Sequence, residues 1–190
     1  MKKSRQETAE TRRRVLNTAA AEFRRAGINA AGIADLMANA GLTHGGFYRH
    51  FKSKDQLVAE SCAIAVGSVA DSFKATLSKK GKHGGLEAIA DDYLSKKHRD
   101  DCAGGCPFAS LGSELVRTDD TTRKVATEGF LELVEIIEKQ FLRARPEVAK
   151  GRALVALSAM IGAVTMSRLV TDPELSGAIL NQTKEHLAKL

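Results

Sequence analysis

Apolar residues recur at helical spacing along almost the whole chain, and this periodicity limits the fold more than any other feature. The two clearest apolar faces are Val15, Leu16, Ala19 and Phe23, and Phe130, Leu133, Val134, Ile137 and Phe141. Side chains three or four positions apart share one face of an α-helix, whereas a half-buried strand alternates with a period of two. The sequence contains no convincing strand pattern, internal repeat or coiled-coil heptad array. It therefore predicts an all-α fold.

Glycine and proline divide this pattern into nine predicted helices. Gly27 and Gly41 follow apolar faces, as is typical of helix C-termini, and Pro107 fits the first position of a helix. Pro146 interrupts the periodicity, and the segment 78–85 is predicted to be a loop from its glycines and lysines. The predicted helices cover residues 8–26, 33–40, 44–50, 54–77, 86–97, 107–117, 121–144, 148–170 and 173–187.

Positive charge is concentrated in the first third of the chain. The formal net charge is +6; residues 1–60 hold eleven Lys and Arg against six acidic residues, and residues 61–190 hold eighteen against seventeen. A basic module attached to a nearly neutral body is typical of proteins that bind nucleic acid phosphates. Charge alone would equally fit a solvated basic surface, so the assignment depends on the local motif.

The first helices are predicted in the order of a helix-turn-helix. A helix ends near Ala40, Gly41 makes the turn, and Thr43 is placed to cap a third helix of about seven residues. Ser53 is predicted to cap the fourth helix, with Asp55 in its first turn where the helix dipole favours a negative charge. In a helix-turn-helix the second of the paired helices reads DNA.

The run that follows the turn is highly specific. Residues 40–54 read Ala-Gly-Leu-Thr-His-Gly-Gly-Phe-Tyr-Arg-His-Phe-Lys-Ser-Lys. This run resembles the DNA-binding domain of the TetR family of transcriptional regulators, over roughly residues 8–57. The rest of the chain matches only in length and helical pattern. The resemblance implies a three-helix helix-turn-helix DNA-binding domain over residues 1–53, followed by a helical-bundle sensor and dimerisation domain over residues 54–190.

The start of the third predicted helix is expected to face DNA bases. His44, Gly45 and Gly46 form its first turn, the part of a recognition helix that meets base edges. Each glycine costs about 1 kcal/mol in helix propensity, which is reasonable where the backbone must approach DNA closely. Arg49 is expected either to read a guanine or to pair with a phosphate.

The remaining polar residues of the run are expected to hold the DNA backbone. Thr43 can cap the helix and reach a phosphate, and Lys52 adds a cation. Tyr48, His50 and Lys54 resemble family positions that contact phosphates. Phe47 and Phe51 are predicted to pack the short helix onto the first helix.

One departure from the family pattern precedes the second helix. The family usually has Thr or Ser there, whereas this chain has Ala31 and Gly32. Gly32 can act as a weaker N-cap. A side-chain contact to phosphate is nevertheless lost, which affects the expected DNA affinity and leaves the predicted fold unchanged.

The resemblance further implies a ligand pocket between the later helices and a dimer interface formed by the last two helices. Small residues recur every three or four positions on one face of the predicted helix 148–170, and such residues let helices approach closely. Two interpretations fit this stripe: a homodimer interface, or close packing within one subunit. The stripe comprises Ala156, Ala159, Ala163 and Ser167.

The segment 98–107 contains two cysteines beside a predicted helix start. Cys106 directly precedes Pro107, so the helix dipole and nearby cations are expected to lower the pKa of its thiol, although Asp100 and Asp101 oppose this. With Cys102 as a resolving thiol, Cys106 is a candidate redox sensor, and some TetR-like regulators carry a similar Gly-Cys-Pro element.

Two other interpretations of this segment stay open. A structural cysteine packed under a loop is at least as well supported. A metal site of His98, Cys102 and Cys106 matches no common zinc spacing, so no metal is expected. Cys62 is expected to lie in the core.

These features together predict a sequence-specific DNA-binding transcriptional regulator and no enzyme. By resemblance it is a homodimeric repressor that a small-molecule effector or thiol modification releases from a palindromic operator in double-stranded DNA. The alternatives are a thiol redox enzyme, despite a spacing that is not Cys-x-x-Cys, and a helical protein-binding adaptor. No cofactor motif is present.

The sequence also predicts a cytoplasmic location. The chain starts without an apolar leader, and its three cysteines are expected to be reduced thiols. The uncharged stretch 153–167 is only fifteen residues long, which is too short for an ordinary membrane span.

Overall fold

A computed structural model describes residues 5–80 and 85–190, and within these ranges all regular structure is helical. The all-α prediction is confirmed. The elements are α1 (Arg5–Ala26), α2 (Ile33–Asn39), a 3-10 helix (His44–Arg49), α3 (Lys54–Lys80), α4 (Gly85–Tyr93), α5 (Lys96–Asp100), α6 (Pro107–Leu115), α7 (Asp120–Glu138), α8 (Pro146–Leu169) and α9 (Pro173–Leu187).

Two predicted helices and one predicted loop have boundaries that differ from the structure for local reasons. The segment 86–97 is split because the hydroxyl of Ser95 accepts a hydrogen bond from the amide of His98 at 3.1 Å and starts α5. The segment 121–144 ends early because, after Glu138, the chain tightens into turns with i→i+3 hydrogen bonds. In the predicted loop 78–85, α3 continues to Lys80, and residues 81–84 lie outside the described residues.

The third predicted helix is a 3-10 helix and not an α-helix. The amide of Gly46 donates to the carbonyl of Thr43 at 2.9 Å, and the amide of His50 donates to Phe47 at 2.9 Å. Both bonds span three residues, which defines the tighter helix. Two consecutive glycines, Gly45 and Gly46, have low α-helical propensity, so the short segment gains little from completing an α-helical turn.

Helix α3 connects the N-terminal helices to the body. Its first residues pack against α1, and α7 lies alongside it in the same direction. The two helices approach closely at Gly129, where an added Cβ would lie 2.8 Å from Cγ1 of Val66. One continuous apolar core runs from Val15 in α1 to Leu187 in α9. The N-terminal helices and the body therefore share their packing.

The small-residue stripe of α8 faces the interior of the subunit. Ala156, Ala163 and Ser167 are buried, and Ala159 is half-buried. The hydroxyl of Ser176 in α9 donates to the backbone carbonyl of Ser167 at 2.6 Å, so α9 covers part of this stripe. The dimer interpretation of these four residues is wrong for the three buried ones, and close packing within one subunit takes its place.

The outer face of α8 is apolar instead. Val155 is 60% exposed, Met166 45% and Leu169 70%, and Leu175 at the start of α9 is 49% exposed. The first three side chains lie on one side of α8, because their spacing of three and eleven residues is close to whole helical turns. The small-residue stripe thus packs inside the subunit, whereas Val155, Met166 and Leu169 point out of it.

Helix α8 is also the single described helix long and apolar enough to cross a membrane by length and composition. This is weak support for a span. One face of the helix, including Leu157, Met160 and Val164, is fully buried against the rest of the chain. The core helix of a folded domain has the same character.

Candidate DNA-binding surface and its links to the body

The 3-10 helix is anchored by aromatic side chains. Phe47 is completely buried and stacks on Phe51 with ring centroids 5.6 Å apart. Leu36 and Met37 of α2 are buried in the same cluster. The predicted packing role of both phenylalanines is confirmed. Because Phe47 fixes the short helix from beneath, the residues on either side of it point outward.

The outward residues are polar and close together. Tyr48 is 67% exposed although it touches the edge of Phe47, with centroids 5.1 Å apart. Half-buried residues on this surface are Gly46, His50 and Lys54. The fully exposed predicted residues are Thr43, His44, Gly45, Tyr48, Arg49 and Lys52. We call this set of nine residues the recognition surface.

The start of the 3-10 helix is open to a partner. Thr43 is its N-cap residue, but the hydroxyl makes no capping hydrogen bond, so the expected side-chain cap is not formed. Neither Gly45 nor Gly46 has a positive φ. A Cβ at Gly45 would meet no atom within 4 Å, and at Gly46 only ordinary contacts. Nothing inside the subunit therefore requires glycine at these positions.

The entry into α3 is capped by the residues that follow the recognition surface. The hydroxyl of Ser53 accepts from the amide of Gln56 at 3.1 Å, and the amide of Lys52 donates to Oε1 of Gln56 at 2.7 Å. This reciprocal arrangement satisfies free amides at the helix start. Lys54, in the first turn, is held in a fixed place beside the 3-10 helix.

Arg12 joins α1 to this region, a role that the sequence did not reveal. Its Nη2 lies 2.6 Å from Oε1 of Glu60, its Nε donates to the carbonyl of His50 at 3.3 Å, and its guanidinium stacks over Phe51. The hydrogen bond from Arg12, with a smaller one from Gln56, lowers the pKa of Glu60. These contacts fix the recognition surface against α3.

A second link connects the turn after α1 to helix α6. Gly27 ends α1 with φ of +91°, a conformation that favours glycine. Oε2 of Glu114 accepts from the amides of Ile28 at 2.8 Å and Asn29 at 3.3 Å. A Cβ at Gly27 would come within 2.8 Å of the same carboxylate. The glycine predicted as a helix terminator therefore also makes room for a side chain of the body.

A third link joins α1 to the cysteine segment. Nη1 of Arg24 donates to the carbonyl of Gly105 at 2.9 Å, while its Nε donates to Ala20 within α1. Burial lowers the pKa of Arg24. No short-range pattern could have indicated this contact, because Arg24 and Gly105 lie 81 residues apart.

The cysteine segment, residues 98–107, is held in place by hydrogen bonds to the rest of the subunit and is not an exposed sensor loop. Cys106 is completely buried, and this burial raises the pKa of its thiol. The expectation of a lowered pKa is therefore wrong: loss of solvation outweighs the helix start and the neighbouring cations. Cys102 is half-buried. Cys62 lies in the core as expected, where burial raises its pKa to about 11.

His98 forms hydrogen bonds within the cysteine segment and to Tyr93 through both ring nitrogens. The amide of Cys106 donates to Nε2 at 3.0 Å, so Nδ1 carries the proton and donates to the carbonyl of Tyr93 at 2.6 Å. Burial lowers the pKa of His98 and favours this neutral form. No ring nitrogen of His98 is left for a metal, and the described residues contain no cluster of three metal-ligating side chains.

Arg168 of α8 also holds the cysteine segment in place. Its guanidinium donates to the carbonyls of His98 and Arg99, at 3.0 and 2.7 Å, and to the hydroxyl of Ser110 at 3.0 Å. Gly105 fits only without a side chain, because a Cβ there would lie 2.6 Å from the carbonyl of Asp101. The segment thus joins α8 and α6 to Arg24 of α1.

Comparison with known proteins agrees with this architecture. The model of the tetR family of bacterial regulatory proteins matches residues 15–61, and the model of the LmrA/YxaF-like transcriptional regulator C-terminal domain matches residues 83–179. The HTH-type transcriptional regulator AcrR of Shigella flexneri is 30% identical over 70 residues. That alignment spans 37% of this chain and 33% of AcrR.

Solved structures extend the likeness to the whole chain. A TetR transcriptional regulator from Chloroflexus aurantiacus is 31% identical with a TM-score of 0.78, over 97% of this chain and 95% of that one. The reduced form of E. coli NemR is 16% identical with a TM-score of 0.78, over 95% and 96% of the two chains, which shows a shared fold. With the helix-turn-helix geometry and both family models in agreement, the chain belongs to the TetR family of transcriptional regulators.

Proposed function

We propose that this protein is a cytoplasmic homodimeric repressor that binds a palindromic operator through the recognition surface and leaves it when an effector alters the body. The observation that carries this proposal is the recognition surface itself. Its polar side chains are supported by the buried aromatic residues Phe47 and Phe51, and a Cβ added at Gly45 would meet no atom within 4 Å. We also propose that the DNA-binding domain ends at residue 53 and that the sensor and dimerisation domain covers residues 54–190.

Base contacts are assigned to the start of the 3-10 helix. His44 and Arg49 are exposed and can reach base edges, and Arg49 can bind a guanine with two hydrogen bonds. Gly45 and Gly46 let the backbone come close to the groove. A Cβ at Gly45 would project into the space that DNA occupies, which explains a glycine that the subunit itself does not need.

Phosphate contacts are assigned to the remaining members of the surface. Lys52 and Lys54 supply positive charge, and Thr43 supplies a hydroxyl that makes no capping hydrogen bond within the subunit. Tyr48 and His50 flank the base-reading residues and offer polar groups to the DNA backbone. Such contacts position the protein on any sequence, whereas base contacts select the operator.

Substitutions at these positions separate the two roles. Operator fragments are first selected from genomic DNA, and binding is then followed by fluorescence anisotropy over a range of salt. Lys54→Ala should weaken binding to all sequences and shallow the log–log salt slope by about one unit. Arg49→Ala should cost roughly 1–3 kcal/mol and relax sequence preference.

Lys150→Ala is the matched control, because Lys150 is exposed on α8 in the body. It should leave both affinity and salt slope unchanged. Equal behaviour of Lys54→Ala and wild type would remove the phosphate assignment. Failure of wild type to bind any double-stranded DNA more tightly than random sequence would overturn the proposed function.

The dimer interface is assigned to the apolar outer face of α8 and α9. Val155, Met166, Leu169 and Leu175 are large exposed side chains. In an isologous interface the same patch meets itself across a two-fold axis, which places two recognition surfaces on one palindrome. Ala156, Ala163 and Ser167 support this face from inside the subunit.

Sedimentation velocity tests the dimer. Val155→Glu should convert the protein to monomers, since a buried unpaired carboxylate is costly. Leu142→Glu is the control, because Leu142 is 89% exposed in the segment between α7 and α8 and is not one of the four residues assigned to the interface. A Val155→Glu protein that stays dimeric would move the interface elsewhere, and footprinting of one asymmetric half-site would exclude a dimer on DNA.

The effector is assigned to a small molecule in preference to thiol modification. Cys106 is fully buried and its pKa is raised, so little thiolate is available for attack. Cys102 is more accessible. If peroxide released wild type from the operator and did not release Cys102→Ser or Cys106→Ser, thiol modification would be the signal instead.

A further inference from the structure

An apolar groove lies between α6 and α7, on a face of α6 next to the one that packs on α1. Its volume is about 290 Å³, at the small end of the range for ligand sites. Phe108 and Phe130 form one part of the wall and meet edge to face, with centroids 5.8 Å apart. Val116 is 66% exposed at the other end, a large value for a valine beside so much apolar surface.

The groove has one charged residue among the described side chains that line it. Arg123 of α7 stands at the rim and is 58% exposed. Its ion pair with Asp120 is long, at 3.7 Å, and both side chains are solvated, so the pair holds the guanidinium weakly. An apolar groove with a cation at its rim fits a ligand that combines an apolar ring with one negative charge.

The floor of the groove contains a glycine with space above it. Gly112 lies in the middle of α6, and a Cβ there would meet no atom within 4 Å. Glycine in a helix interior costs about 0.5–1 kcal/mol relative to alanine. The missing side chain leaves room for a planar ring to lie against α6 near Phe108 and Phe130, whose faces and edges favour aromatic contacts.

Helix α6 connects this groove to the recognition surface. Leu115 lines the groove and also lines a small cavity against Ala20 and Phe23 of α1. The next residue toward the N-terminus, Glu114, holds the amides of Ile28 and Asn29 in the turn that leads to α2. A displacement of α6 therefore reaches both α1 and the turn before α2.

We propose that the α6–α7 groove binds a small aromatic monoanion, such as an aryl carboxylate, and that its occupancy moves α6 and thereby weakens operator binding. The ring lies between Phe108, Phe130 and Gly112, and the carboxylate meets Arg123. The second part of this proposal rests on the proposed DNA-binding function, whereas the binding site itself does not.

The moving part is α6, because it contacts the groove on one face and α1 on the neighbouring face. A ring between α6 and α7 displaces α6, and Leu115 transmits the displacement to α1 because it lines both the groove and the cavity against Ala20 and Phe23. Glu114 then shifts, and the turn must follow because the amides of Ile28 and Asn29 are hydrogen-bonded to its carboxylate. Since a dimer has to place two recognition surfaces in register, a small rotation of each is sufficient to reduce affinity.

The probe is 2-naphthoate, with neutral 2-naphthamide as its matched control. The chain has no tryptophan, so naphthalene fluorescence is measured without interference from protein indole emission. Binding is followed by probe fluorescence and by calorimetry with the full-length dimer. Operator affinity is measured separately, by anisotropy with and without probe. Wild type should bind naphthoate more tightly than naphthamide.

Two variants test the site. Gly112→Leu places a side chain in the groove, at a position where an added Cβ meets no atom within 4 Å, and should reduce naphthoate binding at least about tenfold, with operator affinity preserved and no longer sensitive to probe. Arg123→Gln should weaken naphthoate binding about three- to tenfold and leave naphthamide binding unchanged. Gly67→Leu, at a glycine of α3 outside both the groove and the assigned dimer interface and with no atom within 4 Å of an added Cβ, should behave as wild type.

Each alternative result has a definite meaning. Equal naphthoate binding by wild type and Gly112→Leu would place the site elsewhere and overturn the proposal. Arg123→Gln that weakened both probes equally would overturn the anion assignment. Loss of binding in Gly112→Leu, with wild-type operator affinity unaffected by probe, would overturn the coupling through α6. Absence of operator binding by wild type would contradict the DNA-binding function, while fluorescence would still test the groove.

Discussion

The recognition surface and the cysteine segment both have an unusual local sequence, but the first is exposed in the structure and the reactive group of the second is buried. Around Phe47 the polar residues point outward, and Tyr48 is 67% exposed. Around Cys106 the reactive group points inward and is completely buried. A short amphipathic helix dictates which of its residues face out, whereas a loop is oriented by what packs over it. Local sequence therefore indicated exposure for the first region, whereas for the second it left a reactive and a buried cysteine open, and the packing decided for the buried one.

The largest effect is expected from substituting the buried anchor Phe47 of the 3-10 helix, in comparison with its exposed neighbour Tyr48. Phe47→Ala should cost about 3–5 kcal/mol of unfolding free energy, because it leaves a cavity beneath the helix. Tyr48→Ala should change stability little and weaken DNA binding. Urea denaturation followed by circular dichroism, together with operator anisotropy, measures both. If Tyr48→Ala destabilised the protein as much as Phe47→Ala, the division into anchor and surface would not hold.

Cysteine labelling tests whether Cys106 is buried in the cysteine segment. Iodoacetamide should modify native Cys102 first, and Cys106 at least about a hundredfold more slowly, because a buried thiol reacts only after local opening. Cys62 should be protected in the same way. Peptide mass spectrometry after timed labelling gives the three rates, with protein in denaturant as the control in which they converge. Rapid native labelling of Cys106 would restore it as a candidate sensor.

A smaller effect is expected at Gly45, where stability and DNA binding should move in opposite directions. Gly45→Ala should be neutral or stabilise by up to about 1 kcal/mol, since alanine is the better helix former and has free space. Operator affinity should fall about tenfold because the methyl group occupies the path of the DNA, a loss of roughly 1.4 kcal/mol. Gly67→Ala, in α3 and with equal free space for the methyl group, is the control. Unchanged operator affinity in Gly45→Ala would remove the close-approach argument.

The smallest expected effect is a pH dependence of stability that arises from His98 in the cysteine segment. The pKa of His98 is lowered in the folded state, so the unfolded chain binds more protons as the pH falls below about 6.5. Stability due to neutral His98 is complete above that pH and decreases as the pH drops toward the folded-state pKa. His98→Gln should show a flatter decline between pH 7 and 5 in urea titrations. An unchanged pH profile would mean that His98 does not contribute to it.

Residues adjacent in the chain account for what the sequence could predict of the site. The run 40–54 indicated the helix-turn-helix, its aromatic anchors and the cap at Ser53, because all of these depend on spacing within about four residues. Its two errors there were also local. The glycines favoured a 3-10 helix, and the hydroxyl of Thr43 was left without a capping role.

The sequence by itself determined the all-α class, most helix boundaries and the composition of the recognition surface, because helical periodicity and capping act over short distances. The tertiary structure alone decided which face of α8 is covered, that Cys106 is buried, and how the body contacts α1. The contact of Glu114 with Ile28 spans 86 residues, and that of Arg12 with Glu60 spans 48. Such pairs form only when separate helices pack, so the free energy that selects them comes from the whole core and no local pattern records it.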